Sequence, residues 1–238
     1  MQHKGITVGL IAALLWVAPA LAGNLIEPQL RIARGGSGAP QVALTLDACS
    51  GGVDERILGT LLDRGIPATI FVTARWLERN PEALKVLLSR PDLFEIEDHG
   101  RSHIPAVIGA EKPYGLDPAG TPEAVIDEVA GGAEAVRAAT GARPVWYRGA
   151  TALYSADALD LIARLGFRVA GFSLNADFGA TASEQVAAER VTGAKDGDVI
   201  IAHINQPARA AGAGIARGII ALQDKGFRFV RLADVTAE

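Results

Sequence analysis

The chain has 238 residues, of which 49% are hydrophobic and 21% are charged, and its formal net charge is −4 at pH 7. This balance is typical of a globular protein, and the length suits one domain of α/β-barrel size. The slight acidity and the lack of a basic stripe argue against a nucleic-acid partner.

The N-terminal segment is typical of a secretory signal peptide. An almost wholly apolar run, 5–18, is broken by Pro19, and Ala20-Leu21-Ala22 puts small residues where a signal peptidase reads. Pro19 interrupts the run before it reaches the ~20 residues that a transmembrane helix needs. We therefore expect a signal peptide over 1–22, one catalytic domain over 23–238, and a secreted or periplasmic protein without lasting membrane insertion. The alternative is an uncleaved N-terminal anchor helix.

Strand-like and helix-like segments alternate after a loop at 34–40. Short aliphatic and β-branched runs predict strands at 41–46, 68–72, 94–96, 144–147, 167–174, 198–203 and 227–230. Helical periodicity predicts helices at 54–64, 81–89, 122–140, 157–165, 183–191 and 215–224, and loops are expected at 111–120 and 206–214. About seven strands interleaved with helices predict an α/β fold around a parallel sheet or barrel.

Ionisable or metal-binding side chains follow five of the predicted strands. In such folds, sites lie at the carboxyl ends of the strands, so these side chains are expected to meet. The residues are Asp47 after the first strand, His99 and His103 after the third, Arg148 after the fourth, Asp177 after the fifth and His203 after the sixth.

His99 and His103 are the strongest candidates for metal binding. A spacing of four places two imidazoles on one side of a helical turn, where both can bind one ion. Neutral imidazole ligands favour Zn²⁺ among the divalent ions. The alternative is a pair of surface histidines.

The other strand-end residues have chemical and structural interpretations. Asp47 is either a catalytic carboxylate or a cap for the following glycine-rich loop, and Arg148, unless it is a surface arginine, could pair with it and lower its pKa. His203 is either catalytic or a core histidine, and Asp177 either orients it or forms a turn before Gly179. Cys49, the sole cysteine, leaves no internal disulfide and is either a buried apolar residue or a thiol near the site.

Together these residues resemble the polysaccharide deacetylases of carbohydrate esterase family 4, over about 41–230. The family's Thr-Phe-Asp-Asp-Gly-Pro corresponds to Thr45-Leu46-Asp47-Ala48-Cys49-Ser50, and its His-x-x-x-His to His99 and His103. Its arginine, Asp-Trp and Leu-x-His-Asp motifs correspond to Tyr147-Arg148, Asp177-Phe178 and 201–205. The resemblance implies a distorted (β/α) barrel that hydrolyses N-acetyl groups on a glycan.

The resemblance also implies roles for the site residues. A divalent ion, Zn²⁺ first, would bind His99 and His103 and polarise the acetamide. Asp47 would act as the base and His203 as the acid, tuned by Arg148 and Asp177 respectively.

One position departs from the family pattern. The aspartate that normally completes the metal triad is Ala48 here, so this is a divergent member. Asp47 could itself contact the metal, in which case Asp98 is a candidate base. Cys49 would point to the opposite side of an extended chain from Ala48, and Asp54 is expected to cap a helix.

Three functions are therefore open. The first is a metal-dependent deacetylase of peptidoglycan or an exopolysaccharide. The second is a degenerate member that binds glycan without hydrolysing it, suggested by Ala48 and the missing Pro-Pro-Tyr-Gly. The third is an amidohydrolase of a small non-sugar amide, suggested by loops that offer only Tyr114 as a platform for a sugar.

Overall fold

A computed structural model describes residues 25–36 and 38–237. The predicted signal peptide and its cleavage site lie outside these residues. The described chain alternates strands with helices, as the sequence predicts. The strands are β1 Gln41–Ala48, β2 Ala68–Val72, β3 Phe94–Asp98, β4 Trp146–Tyr147, β5 Arg168–Val169, β6 Leu174–Asn175, β7 Val199–His203 and β8 Arg228–Val230. The α-helices are α1 Glu55–Arg64, α2 Ala74–Arg79, α3 Pro81–Leu88, α4 Pro122–Thr140, α5 Ala156–Arg164, α6 Glu184–Thr192 and α7 Ala211–Asp224.

The strands form one parallel sheet that curves into a half-barrel. Its order is β5-β4-β3-β2-β1-β7-β6, and β8 pairs with the first residues of β1. Parallel pairing brings the carboxyl ends of β1, β3, β4 and β7 to one edge. The predicted α/β barrel of about seven parallel strands is thereby confirmed.

Alternation along β1 divides the core into two layers. Leu44, Leu46 and Ala48 pack in the cluster between sheet and helices, whereas Ala43 belongs to the cluster inside the half-barrel. Successive side chains on a strand point to opposite faces, so Thr45 and Asp47 face inward. The same alternation in β7 directs Ile201 and then His203 inward. The inner face therefore carries Asp47 and His203 at the carboxyl ends of β1 and β7.

The single strand predicted at 167–174 is wrong. The structure divides it into β5 and β6, which lie at opposite edges of the sheet and are joined by a short segment, 170–173, that crosses from one edge to the other. The lead-in chain packs against this segment, since Leu30 N–H donates to Phe172 O at 3.4 Å. A side chain at Gly171 would meet the carbonyl oxygen of Pro28 at 2.1 Å, so glycine permits this close approach.

Two helices also differ from the sequence prediction. The six-residue helix α2 was not predicted, because it is too short to show a clear period. Helix α7 begins at Ala211 within the predicted loop, because Gly212, Gly214 and Gly218 allow it to pack closely on α1 and α6. The expected cap is confirmed, since Asp54 accepts from Arg56 N–H at the start of α1. Among the described helices, none is long and apolar enough to cross a membrane.

Candidate active site

A pocket of about 490 Å³ opens at the carboxyl edge of the sheet. Its volume falls within the range of small-molecule sites, ~300–1,000 Å³. Asp47, His99, His103 and His203 line it, as does Cys49. The structure therefore brings the predicted residues together, with Arg148 and Asp177 immediately behind them.

Asp47 and Arg148 form a buried ion pair. Arg148 Nη1 donates to Asp47 Oδ1 at 2.9 Å and to Thr45 Oγ1 at 2.9 Å. The rest of the guanidinium donates to the carbonyl oxygens of Ala170 and Gly171 in the crossing segment. Burial is the largest influence and raises the pKa of Asp47, but the positive charges of Arg148, His99 and His203 together outweigh it, so the pKa is lowered. Asp47 is therefore ionised, and its Oδ2, which lies 3.8 Å from His99 Nε2, is the oxygen that Arg148 leaves for the pocket.

Asp177 holds His203 in one orientation. Its Oδ2 accepts from the backbone N–H of His203 at 2.7 Å, and its Oδ1 lies 3.0 Å from His203 Nδ1. Nε2 is therefore the ring nitrogen left for the pocket. Burial is the largest influence and lowers the pKa of His203, but the hydrogen bonds and negative charges of Asp177 and Cys49 together raise it well above its usual value. The protonated form of His203 is therefore favoured, as a general acid requires.

His99 and His103 come together through a loop and not through the predicted helical turn. The residues from 99 to 103 have no helical assignment, and His103 has a φ of 62°. The two ring centroids lie 4.9 Å apart at an interplanar angle of 64°. His99 Nδ1 lies 2.6 Å from the carbonyl oxygen of Arg148, so it carries the hydrogen and leaves the lone pair on Nε2 for the pocket.

Glu128 on α4 fixes this loop. Its carboxylate accepts from the backbone N–H of Ser102 at 2.9 and 3.0 Å and from that of Ile104 at 3.1 Å. These residues flank His103, whose left-handed backbone is otherwise unfavourable. The sequence does not predict this role, because nothing distinguishes Glu128 from the other acidic residues of α4.

Cys49 faces the pocket, and Ala48 does not. Cys49 Sγ lies 3.3 Å from His99 Nε2, and one ligand atom from each of Cys49, His99 and His103 lies within 4.8 Å of the others. Ala48 is fully buried on the opposite, helix-facing side of β1. Alternation along the extended chain predicts that the two side chains lie on opposite sides, and the structure shows that the pocket is on the side of Cys49.

The surroundings of His99 favour a positive charge, whether a proton or a metal ion. Burial lowers the pKa of His99, but Asp47 and Cys49 raise it more, to about 9. Burial raises the pKa of the Cys49 thiol, whereas positive charge on His99 and histidine hydrogen bonds lower it well below its usual range. The donor set therefore fits a divalent cation.

Asp98, the alternative base, lies beneath the histidine loop. It is fully buried, and its Oδ1 accepts from Gly100 N–H at 2.7 Å. Burial raises its pKa well above the usual value. Asp98 therefore supports the loop and is not placed to act in the pocket.

Strained backbone is concentrated at the pocket. Among the described residues, six non-glycine residues have positive φ, and five of them line it. They are His103, Tyr114, Thr151, Ala152 and Phe178. Such conformations cost of order 1–3 kcal/mol each and cluster at functional sites.

A family model described as "Polysaccharide deacetylase" matches residues 34–170, more than half of the chain. The chain belongs to the polysaccharide deacetylase family. It is therefore a deacetylase-like amidohydrolase. The resemblance to carbohydrate esterase family 4 is confirmed. A search among curated proteins finds no match to this chain.

Solved structures share the fold of this chain. The peptidoglycan N-acetylglucosamine deacetylase Bc1960 matches with a TM-score of 0.69 and 19% identity, over 86% of this chain and 90% of that chain. The peptidoglycan deacetylase PdaC from Bacillus subtilis matches with a TM-score of 0.65 and 22% identity, over 82% and 89%. A family 4 pseudoenzyme from Bacillus anthracis matches with a TM-score of 0.65 and 18% identity, over 86% and 67%.

The rim of the pocket brings together aromatic and acidic residues whose meeting the sequence does not predict. Phe172, Phe178 and Glu27 line the pocket together with the predicted platform Tyr114. Phe178 is 49% exposed and Tyr114 is 76% exposed. No periodic signal marks these residues, because they lie on irregular segments that meet only in the fold. The pocket therefore offers more aromatic surface than the sequence suggests.

Proposed function

We propose that this chain is a metal-dependent hydrolase that removes N-acetyl groups from a cell-wall or extracellular glycan. The observation that carries the proposal is the meeting of two oriented dyads, Asp47–Arg148 and His203–Asp177, beside His99 and His103 in one pocket. A general base and a general acid on one scissile group are what amide hydrolysis requires.

His99 and His103 would hold a divalent ion, Zn²⁺ in the first place. When bound, such an ion polarises the amide carbonyl and makes the attacking water more acidic. Asp47 has one oxygen fixed by Arg148, and its other oxygen would take the proton from the attacking water. His203 would donate a proton from Nε2 to the departing amine nitrogen, while Asp177 stabilises the imidazolium.

A glycan substrate is supported by the shape and lining of the pocket. A volume of about 490 Å³ accommodates one N-acetylated sugar unit. Tyr114 and Phe178 offer apolar faces at the rim, and Arg190 stacks on the Phe178 ring at 4.6 Å, which restrains it. The fold is shared with enzymes described as acting on peptidoglycan. The predicted signal peptide would place the chain outside the cytoplasm, where such polymers lie.

Acetate release tests the proposal. The purified protein, stripped of metal and reloaded with Zn²⁺, Co²⁺, Mn²⁺ or Ni²⁺, would be given N-acetylglucosamine oligomers and peptidoglycan. We expect acetate with at least one ion, its loss on chelation, and its loss in Asp47→Ala and His203→Ala. If no acetate is released with any of the four ions, the proposal is overturned.

A second candidate is a glycan-binding member without activity. Ala48 favours it, as does the fold shared with a pseudoenzyme, a mutant of which is described as having restored activity. Under this alternative the protein retains oligomers on a column but releases no acetate. A screen of small acylated amides that yields turnover without glycan hydrolysis would instead favour a non-sugar amidohydrolase.

A further inference from the structure

We propose that Cys49 is the third protein ligand of the metal site, so that one thiolate and the two imidazoles of His99 and His103 hold the ion. The inference rests on the metal dependence proposed above. It assigns the ligand position that Ala48 leaves open to the next residue in the chain.

The distances suit one ion bound by all three side chains. Zn–S bonds of ~2.3 Å and Zn–N bonds of ~2.0–2.1 Å in a tetrahedron separate sulfur and nitrogen by about 3.5 Å. Cys49 Sγ and His99 Nε2 are 3.3 Å apart, and the three ligand atoms lie within 4.8 Å of one another. Small side-chain rotations would therefore complete the site without moving the backbone.

The backbone around Cys49 is held in place. Thr73 Oγ1 donates to Cys49 O at 2.5 Å, and Asn205 Nδ2 donates to Ser50 O. Thr73 follows β2 and Asn205 follows β7, so both neighbouring strands of β1 fix the residue that follows it. Cys49 is 8% exposed at the base of the pocket, a position that admits an ion but shields the thiol from bulk solvent.

A thiolate ligand would leave Asp47 available for proton transfer. Three protein ligands with one open position are usual at catalytic zinc sites. If Cys49 completes the set, Asp47 need not be both base and ligand, and its ion pair with Arg148 is preserved. A sulfur ligand also shifts the preference from oxygen-seeking ions, such as Mg²⁺ and Mn²⁺, toward Zn²⁺ and Co²⁺.

Cobalt substitution tests the ligand directly. We expect the Co²⁺-loaded protein to show a sulfur-to-cobalt charge-transfer band in the near ultraviolet, with one ion per chain. Cys49→Ser should lose the band and weaken metal binding by more than the roughly 10–100-fold typical of outer-shell changes. Cys49→Asp should bind the ion without the band. The control Ser50→Ala, a neighbouring polar residue of the pocket, should keep both the band and the ion.

Alkylation provides a readout that needs no variant. Zn²⁺ should protect Cys49 of the unaltered protein from iodoacetamide, and chelation should remove the protection. An ion bound without the band and without protection would overturn the ligand assignment while leaving metal dependence intact. If no divalent ion binds, both proposals fail. Metal-free hydrolysis abolished by alkylation would instead make Cys49 a nucleophile and overturn this inference.

Discussion

Arg148 and Asp47 are joined by a hydrogen-bonded ion pair of 2.9 Å in which Arg148 is fully buried and the Asp47 side chain is 5% exposed. The guanidinium lies 4.3 Å from the centre of the Phe71 ring. The arginine therefore bridges β4, β1 and the segment 170–173. Its removal would leave a buried carboxylate without its cation.

Arg148→Met should destabilise the protein by about 3–5 kcal/mol, the usual cost of breaking a buried pair from one side. Urea unfolding at pH 7 measures the loss. Arg143→Met is the matched control, because Arg143 is exposed and stacks on Phe167 at 5.1 Å. The control should lose less than about 1 kcal/mol. Equal losses would show that the buried pair contributes nothing beyond cation–π packing.

Glu128→Ala should loosen the loop that presents His103. Glu128 accepts from two part-buried backbone N–H groups, and about 1–3 kcal/mol for each lost acceptor is the upper limit because it applies to fully buried groups. Metal affinity, measured by calorimetry, should fall about 10–100-fold as for other outer-shell losses. Asp127→Ala, on the exposed face of the same helix, should change neither quantity. A folded Glu128→Ala variant with unchanged affinity would contradict the positioning role.

Ala48→Asp should fail to build a better metal site. Ala48 is fully buried among apolar residues on the helix-facing side of β1, so a carboxylate there would be desolvated and surrounded by apolar side chains. We expect a loss on the order of 3 kcal/mol or more. Ala130→Asp, on the exposed surface of α4, is the control and should cost less than about 1 kcal/mol.

The opposite result for Ala48→Asp would be informative. Near-normal stability together with tighter metal binding would mean that the end of β1 can turn and present residue 48 to the pocket. It would also favour the view that the chain is a degenerate enzyme repaired by one carboxylate. The urea midpoint and the metal affinity must therefore be measured on the same preparation.

The sequence predicts the site residues that lie at the ends of regular strands, but not the contacts that loops make. Asp47 and His203 end apolar strands whose alternation fixes the inward direction, so their meeting follows from periodicity and parallel topology. The direction of the Cys49 side chain follows from the same alternation, but its contact with His99 depends on the histidine loop, and the role of Glu128 depends on how α4 packs against that loop. Neither contact is local in sequence, and neither leaves a periodic signal.

The segment 167–174 shows that contacts distant in the sequence also decide where strands begin and end. Its residues are apolar enough for one strand, but tertiary packing overrides that tendency. Arg148 donates hydrogen bonds to the carbonyl oxygens of Ala170 and Gly171, and the lead-in chain pairs with the next residue, since Leu30 N–H donates to Phe172 O. A buried arginine and a distant segment thus break the strand, and neither can be read from the segment itself.

Glu97→Gln should change how stability depends on pH. Glu97 is 4% exposed, and its Oε2 accepts from the backbone N–H of Val145 at 2.9 Å and Trp146 at 2.7 Å. Burial and the nearby Glu95 raise the pKa of Glu97 from 4.5 to about 8. The folded state therefore keeps a proton that the unfolded chain releases, and stability contributed by this group is lost as the pH rises from 4.5 to about 8.

Glutamine keeps a carbonyl oxygen for both backbone donors and has no proton to lose. Glu97→Gln should be as stable as the parent protein near pH 4.5. Near pH 8 its free energy of unfolding should be the higher one, by about 1.4 kcal/mol for each unit by which folding raises the pKa of Glu97 in the parent. Urea unfolding at several pH values measures the difference, and the exposed Glu82→Gln serves as control. Parallel stability profiles for Glu97→Gln and the parent would mean that Glu97 ionises in the fold at no cost, with its charge balanced by the two backbone N–H groups.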